Sequence, residues 1–250
     1  MRAPPPARAA CAACLVLALA SVRAADASGW PELPVPHDAH AFDVGTELHV
    51  NGVPMRIRGF VSERPASELA AWFRARLGPP LVERQVGGKL LLGRGSGEHY
   101  LTVQLEPLGV GGADGTRALV AAGHLKAAEA ARDESKVEVE HWQSRMPAGS
   151  RLMNQVKADD GARLSSHLTF FNRHALQVNV DRVKALMQED GLAFERDTQT
   201  EEGAQGSATP EGRVLYFKGA GKEAMAVVVR SPERQTMVVL SVVRSMEHFK

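Results

Sequence analysis

Residues 89–105, KLLLGRGSGEHYLTVQL, and residues 213–229, RVLYFKGAGKEAMAVVV, are one pattern written twice at a constant spacing of 124. Each copy opens on a basic residue, Lys89 or Arg213, and runs through an apolar stretch. Each then reaches a basic residue before a Gly-x-Gly turn: Arg94 with Gly95 and Gly97, and Lys218 with Gly219 and Gly221. An apolar strand closes both copies. A fixed internal period marks a folding unit used more than once.

Working outward, residues 47–50, Asn51-Gly52 and residues 53–61 read as strand, tight turn and strand. Asn-Gly is favoured there because both turn positions need a positive φ. Asp160-Gly161 stands in the same place before a strand at 164–171. A helix follows in each copy. Leu69, Trp72, Phe73 and Leu77 recur at helical spacing with Gly78 as the stop; Val180, Val183, Leu186 and Met187 do so after Asn179 as N-cap, with Gly191 as the stop. The segments 79–88 and 192–212 read as links, the second enlarged by the polar run TEEGAQGSATPEG, which has nothing to bury. Last strands are expected at 116–122 and 236–243. The resulting expectation is an α+β fold of two tandem ββαβββ repeats, each a small antiparallel sheet with one helix packed on a face. The boundaries are repeat unit 1 at 46–123, a partly helical connector at 124–150 and repeat unit 2 at 151–250. The segments 225–229 and 237–240 are apolar at every position, which suits strands covered on both faces, by repeat unit 1 or by a partner.

The chain start reads as an export signal. Arg2 and Arg8 precede an apolar stretch of 12 residues, 9–20, and Val22-Arg23-Ala24 offers small residues at −3 and −1 of a cut between Ala24 and Ala25. The stretch is short for a spanning helix, which needs roughly 20 residues. Residues 1–24 are thus expected to be removed, leaving a periplasmic or secreted protein with no transmembrane segment. Both cysteines, Cys11 and Cys14, would leave with the signal, excluding disulfides, thiolate metal sites and a cysteine nucleophile from the mature chain. Losing Arg2, Arg8 and Arg23 takes the 30 basic side chains to 27 against 29 acidic ones, a net charge of −2. Such a balance lacks the basic face that nucleic acid requires. Residues 25–45 form a proline-rich extended leader, with Pro31, Pro34 and Pro36 opposing helix.

Chemistry is sparse. His37, Asp38 and His40 are the densest candidate metal ligands, but they sit in the leader with no element to fix their geometry, so no metal is expected. The Gly93 to Gly97 run precedes a strand rather than a helix and reads as a turn, not a phosphate loop. Ser166 and His167 are adjacent on a strand and point to opposite faces. No catalytic set and no cofactor site emerges. Trp30 and Trp142, outside the predicted units, and Val228, in the apolar strand, are the candidates for contact with a partner. These features point to an exported non-enzymatic protein of the cell envelope that binds or assembles protein partners, such as an accessory component of a secretion or pilus system. The alternative is a periplasmic carrier of a lipid or other small apolar ligand, and a hydrolase comes third.

Overall fold

The computed structural model describes residues 29–109, 114–199 and 211–246. The expected signal, its cleavage position and residues 200–210 of the polar run lie outside them. Strands β1 (His40–Val50) and β2 (Val53–Ser62) form a hairpin. Its turn residues Asn51 and Gly52 have φ of 51° and 80°, the left-handed pair that Asn-Gly accommodates. Helix α1 (Ala66–Leu77) follows, then β3 (Val82–Val86), β4 (Lys89–Ser96), β5 (His99–Pro107) and β6 (Thr116–His124). Helices α2 (Leu125–Ala130) and α3 (Arg132–Ser144) lead to β7 (Arg151–Asp159) and β8 (Arg163–Asn172). Helix α4 (Leu176–Glu189) precedes β9 (Ala193–Gln199), β10 (Glu211–Gly219), β11 (Lys222–Arg230) and β12 (Thr236–Ser245).

The expected α+β arrangement of two ββαβββ sheets does not form. One antiparallel sheet of 12 strands runs through the described chain, in the order β3-β4-β5-β6-β2-β1-β7-β8-β12-β11-β10-β9. Strands β1 and β7 join its centre through four paired residues, from Glu47 with Asp159 to Val50 with Val156. Asn51 reinforces the joint. Its N–H donates to the Gln155 carbonyl and its Oδ1 accepts from the Gln155 N–H, each at 2.8 Å.

The two edge strands, β3 and β9, fall in segments read from sequence as links. Every residue of β3 is exposed, as is every residue of β9 except Asp197. Neither strand therefore carries the apolar alternation that would reveal it. Charged, outward side chains are also what keeps a free edge from pairing with another chain.

The spacing of 124 proves to be one residue out of register. In β5 the buried members are Leu101, Val103 and Leu105, and in β11 they are Ala224, Ala226 and Val228, a spacing of 123. The first hairpin turns on Gly97 and Glu98, between paired Ser96 and His99. The second turns on Ala220 and Gly221, between paired Gly219 and Lys222. Gly219 thus corresponds in the ladder to Ser96, and Gly95 lies inside β4 opposite Tyr100. A slip of one residue exchanges the two faces of a strand, so the ungapped match equates buried positions with outward ones.

Two apolar clusters hold the sheet to its helices. Leu69, Phe73 and Leu77 of α1 meet Phe60, Leu92, Leu101, Val103, Leu105 and Val120. Val180, Val183, Leu186 and Met187 of α4 meet Leu168, Phe170, Leu215, Val228, Val238 and Leu240. Each such side chain stabilises by about 1.5–3 kcal/mol on full burial. The register shows that both helices lie on one face. Opposed residues in an antiparallel ladder point the same way, and the row Pro54, His49, Lys157, Ser166 crosses the joint with Phe60 and Leu168 at even spacing on either side. Helix α3 joins that face: Glu138 accepts from Gln155 Nε2 at 2.8 Å and from Lys157 Nζ at 2.6 Å. Among the described residues no helix covers the opposite, bare face.

Candidate functional site

The bare face of β10, β11, β12 and β8 is built by strand alternation. With Ala224, Ala226 and Val228 turned to α4, the intervening Met225, Val227 and Val229 must point away. The paired registers then lay out rows across the sheet. Phe171, Met237 and Val229 make one; Thr169, Val239, Val227 and Val214 the next; His167, Ser241, Met225 and Tyr216 a third. Met225 is 39% exposed and the other Val, Met and Phe members are half-buried. The expected cover on this side is supplied by no helix among the described residues. Arg196 lies over the Tyr216 ring at 4.3 Å and closes the third row at the β9 edge.

At the Phe171 end the face opens into a cleft of about 690 Å3 lined by Ala148, Gly149, Arg151, Met153, Phe171, Asn172, Arg173, His174 and Gln235. Arg151 is the direct ladder partner of Phe171, so both point to the bare face. The wall is braced by buried polar contacts. Asn172 Nδ2 donates to Ser150 Oγ at 3.0 Å and to Asn179 Oδ1 at 2.7 Å, and Asn179 Nδ2 returns a bond to Asn172 Oδ1 at 3.1 Å. His174 Nε2 lies 2.7 Å from the Ala148 carbonyl, and the His174 carbonyl accepts from Arg230 Nη1 and Thr236 Oγ1.

The residues singled out from sequence lie elsewhere. Val228 is fully buried beneath α4 and cannot meet a partner; the outward residues of its strand are Val227 and Val229. Trp30 packs back onto the first cluster, 5.0 Å from the His99 ring and 5.9 Å from that of His124, with Arg56 over it at 5.3 Å. Burial, together with the neighbouring His124, holds the His99 imidazole below the ordinary histidine range. Trp142, on α3, packs against the second cluster, with Arg145 over its ring at 5.5 Å. His37, Asp38 and His40 are exposed, and Asp38 lies 3.8 Å from Arg64. No three His, Asp or Glu groups among the described residues are placed to hold a metal.

An ionic cluster at the β9 edge also serves the fold. Asp197 pairs with Arg213 and with Lys184. Hydrogen bonding from Arg213 keeps its carboxyl below the usual carboxylate range. All three lie on the helix side, tying α4 and β9 to β10, and none lines the cleft beside Phe171. Ser165 and His167 share the bare face, but Ser165 Oγ donates to the Ala158 carbonyl at 3.5 Å and no acid among the described residues is bonded to His167. Sequence reasoning passed over Phe171, Arg173 and Arg151. Their signal was the alternation Phe170 in, Phe171 out, read through to position 173.

No protein-family model and no curated protein matches the chain. Among solved structures, one similar to it is the immunity protein TplEi of the T6SS from Pseudomonas aeruginosa, complexed with an "L" peptide. The identity is 13%, the match covers 86% of this chain and 84% of the other, and the TM-score is 0.28. A likeness at that level carries no argument about function. No helix among the described residues is long and apolar enough to cross a membrane.

Proposed function

We propose that this is an exported, non-enzymatic protein of the cell envelope that binds a protein partner across the bare face of its sheet, as an accessory component of a secretion or pilus system would. The observation that carries the reading is the contiguous set Met225, Val227, Val229, Met237, Val239 and Phe171, apolar and outward, with no helix among the described residues over it. A patch of that kind on a soluble domain marks a docking surface, because left in water it promotes aggregation. The export reading rests on the charged start, short apolar stretch and small-residue cut near Ala24 and Ala25. The carrier reading fits less well: the cleft is lined by Arg151, Asn172, Arg173, His174 and Gln235 among its nine residues, whereas apolar ligands take mostly hydrophobic pockets. The test is co-purification from native envelopes with wild type and Val227→Asp. The variant places a charge at a half-exposed position, so it is expected to stay folded and to lose its partner. Unchanged co-purification by a folded Val227→Asp chain refutes the reading.

A further inference from the structure

We infer that the cleft at the Phe171 end of the bare face recognises a carboxylate of the bound partner, so that the surface takes an acidic protein segment with alternating apolar side chains. The inference rests on the protein-binding reading above and adds the chemistry of what is bound. Arg151 and Arg173 flank Phe171 in the cleft, one across the ladder from it and one two residues further along the chain. Among the described residues neither guanidinium has an ion-pair or hydrogen-bond partner. Their neighbours differ: Arg145 bonds Asp190 at 2.6 Å and Arg182 bonds Glu189 at 2.9 Å. No Asp or Glu lines the cleft. Two cations beside an apolar floor, with no anion of their own, are complementary to a carboxylate carried next to an apolar residue. A guanidinium can take both oxygens of such a group at once.

The wall is set before any ligand arrives. Asn172, Asn179, Ser150 and His174 hold the 147–150 loop through the bonds already described, and Ser150 Oγ donates to the Pro147 carbonyl at 2.6 Å. From Phe171 the rows of Met237 and Val229, then Val239 and Val227, continue the apolar surface away from the cations. An extended segment lying there presents every second side chain to the sheet. A lipid carboxylate would need an enclosed channel for its chain, and the rows are open to solvent.

The experiment uses fluorescence anisotropy with the full chain and a dye-labelled capped peptide, Gly-Leu-Glu-Leu-Glu-Leu-Gly, beside its counterpart with Gln for Glu; oleate is the lipid probe. The expected result is at least about tenfold tighter binding of the Glu peptide, weakening as salt rises from roughly 50 to 500 mM. R151Q/R173Q, changed only at exposed positions, should keep its thermal midpoint and lose the preference for Glu over Gln. If Val227→Asp abolishes binding of both peptides while R151Q/R173Q retains the preference, carboxylate recognition is refuted and the docking face stands. If Val227→Asp leaves peptide binding unchanged, or neither peptide binds the wild type, the docking reading itself fails and takes the inference with it. Oleate binding that depends on Arg151 and Arg173, without peptide binding, overturns the choice of a protein segment.

Discussion

Val227 and Val228 are neighbours of the same chemical type, yet one is half-exposed and the other has no exposure at all. Composition makes them equivalent, and only the phase of the strand separates them. A carboxylate at position 228 would be buried beneath α4 opposite Arg213, whose guanidinium is already held by Asp197, which costs several kcal/mol. Val228→Asp should therefore unfold the second cluster, seen as loss of its cooperative urea transition, whereas Val227→Asp should shift that midpoint by less than about 1 kcal/mol. His99 offers a pH test at the same scale. Its ring faces Trp30 from the leader and His124 from β6, with Arg56 of β2 on the Trp30 ring and Glu98 and Lys126 beyond. Its folded pKa lies below the unfolded value of about 6.5, so the folded state binds fewer protons. The stability tied to neutral His99 is complete above about pH 6.5 and is lost as pH falls through the lower, folded pKa. The urea midpoint should drop between about pH 7.5 and about pH 5, and His99→Leu should narrow that drop. An equal drop in the variant would assign it to other groups.

At the scale of elements, legibility followed periodicity. Helices α1 and α4 were readable because Leu69, Phe73 and Leu77, and Val180, Val183 and Met187, recur on one side of a 3.6-residue turn. The Asn51-Gly52 hairpin was readable from its turn chemistry. Strands β3 and β9 were not, since edge positions carry charge in place of pattern. The hairpin copies misled in a particular way: Gly97 occupies the first turn position and Gly221 the second, so the matched glycines hide a one-residue change in ladder phase. The site stayed hidden for the same reason, because naming Phe171, Val227 and Arg151 as outward requires the pairing register and not the composition. Glycine substitutions separate two sources of constraint. Gly52 and Gly161 have nearly the same φ, 80° and 79°. A Cβ at Gly52 would also collide with Ser135 Oγ on α3, while one at Gly161 meets nothing. Gly161→Ala should cost about 1 kcal/mol and Gly52→Ala clearly more, about 2–3 kcal/mol, by urea unfolding. Equal costs would show that α3 yields freely at the hairpin tip.

For the whole molecule the open question is how one sheet with two apolar clusters unfolds. The clusters share no residue: one joins α1 to β2, β4, β5 and β6, the other α4 to β8, β10, β11 and β12. Between them stand β1 and β7, whose ladder is four pairs long, the paired Asn51–Gln155 bonds at its end and the α3 contacts made through Glu138. Burial opposes ionisation of Glu138, but the bonds from Lys157 and Gln155 outweigh it and hold its carboxyl below the ordinary range. The joint is thus held by hydrogen bonds and a half-buried ion pair, about 1 kcal/mol apiece, and by the buried Leu48 side chain, about 1.5–3 kcal/mol, against tens of kcal/mol of apolar burial within each cluster. Apolar burial therefore sets the cooperative units, one to each cluster. Calorimetry should resolve two transitions. Phe73→Ala should lower one of them and Phe170→Ala the other, each by the equivalent of about 3–5 kcal/mol. Glu138→Gln removes the charge facing Lys157 and should widen the separation of the transitions without lowering the more stable one. If either alanine variant moves both transitions together, the β1–β7 ladder couples the clusters more strongly than its four pairs imply, and the sheet behaves as one cooperative unit.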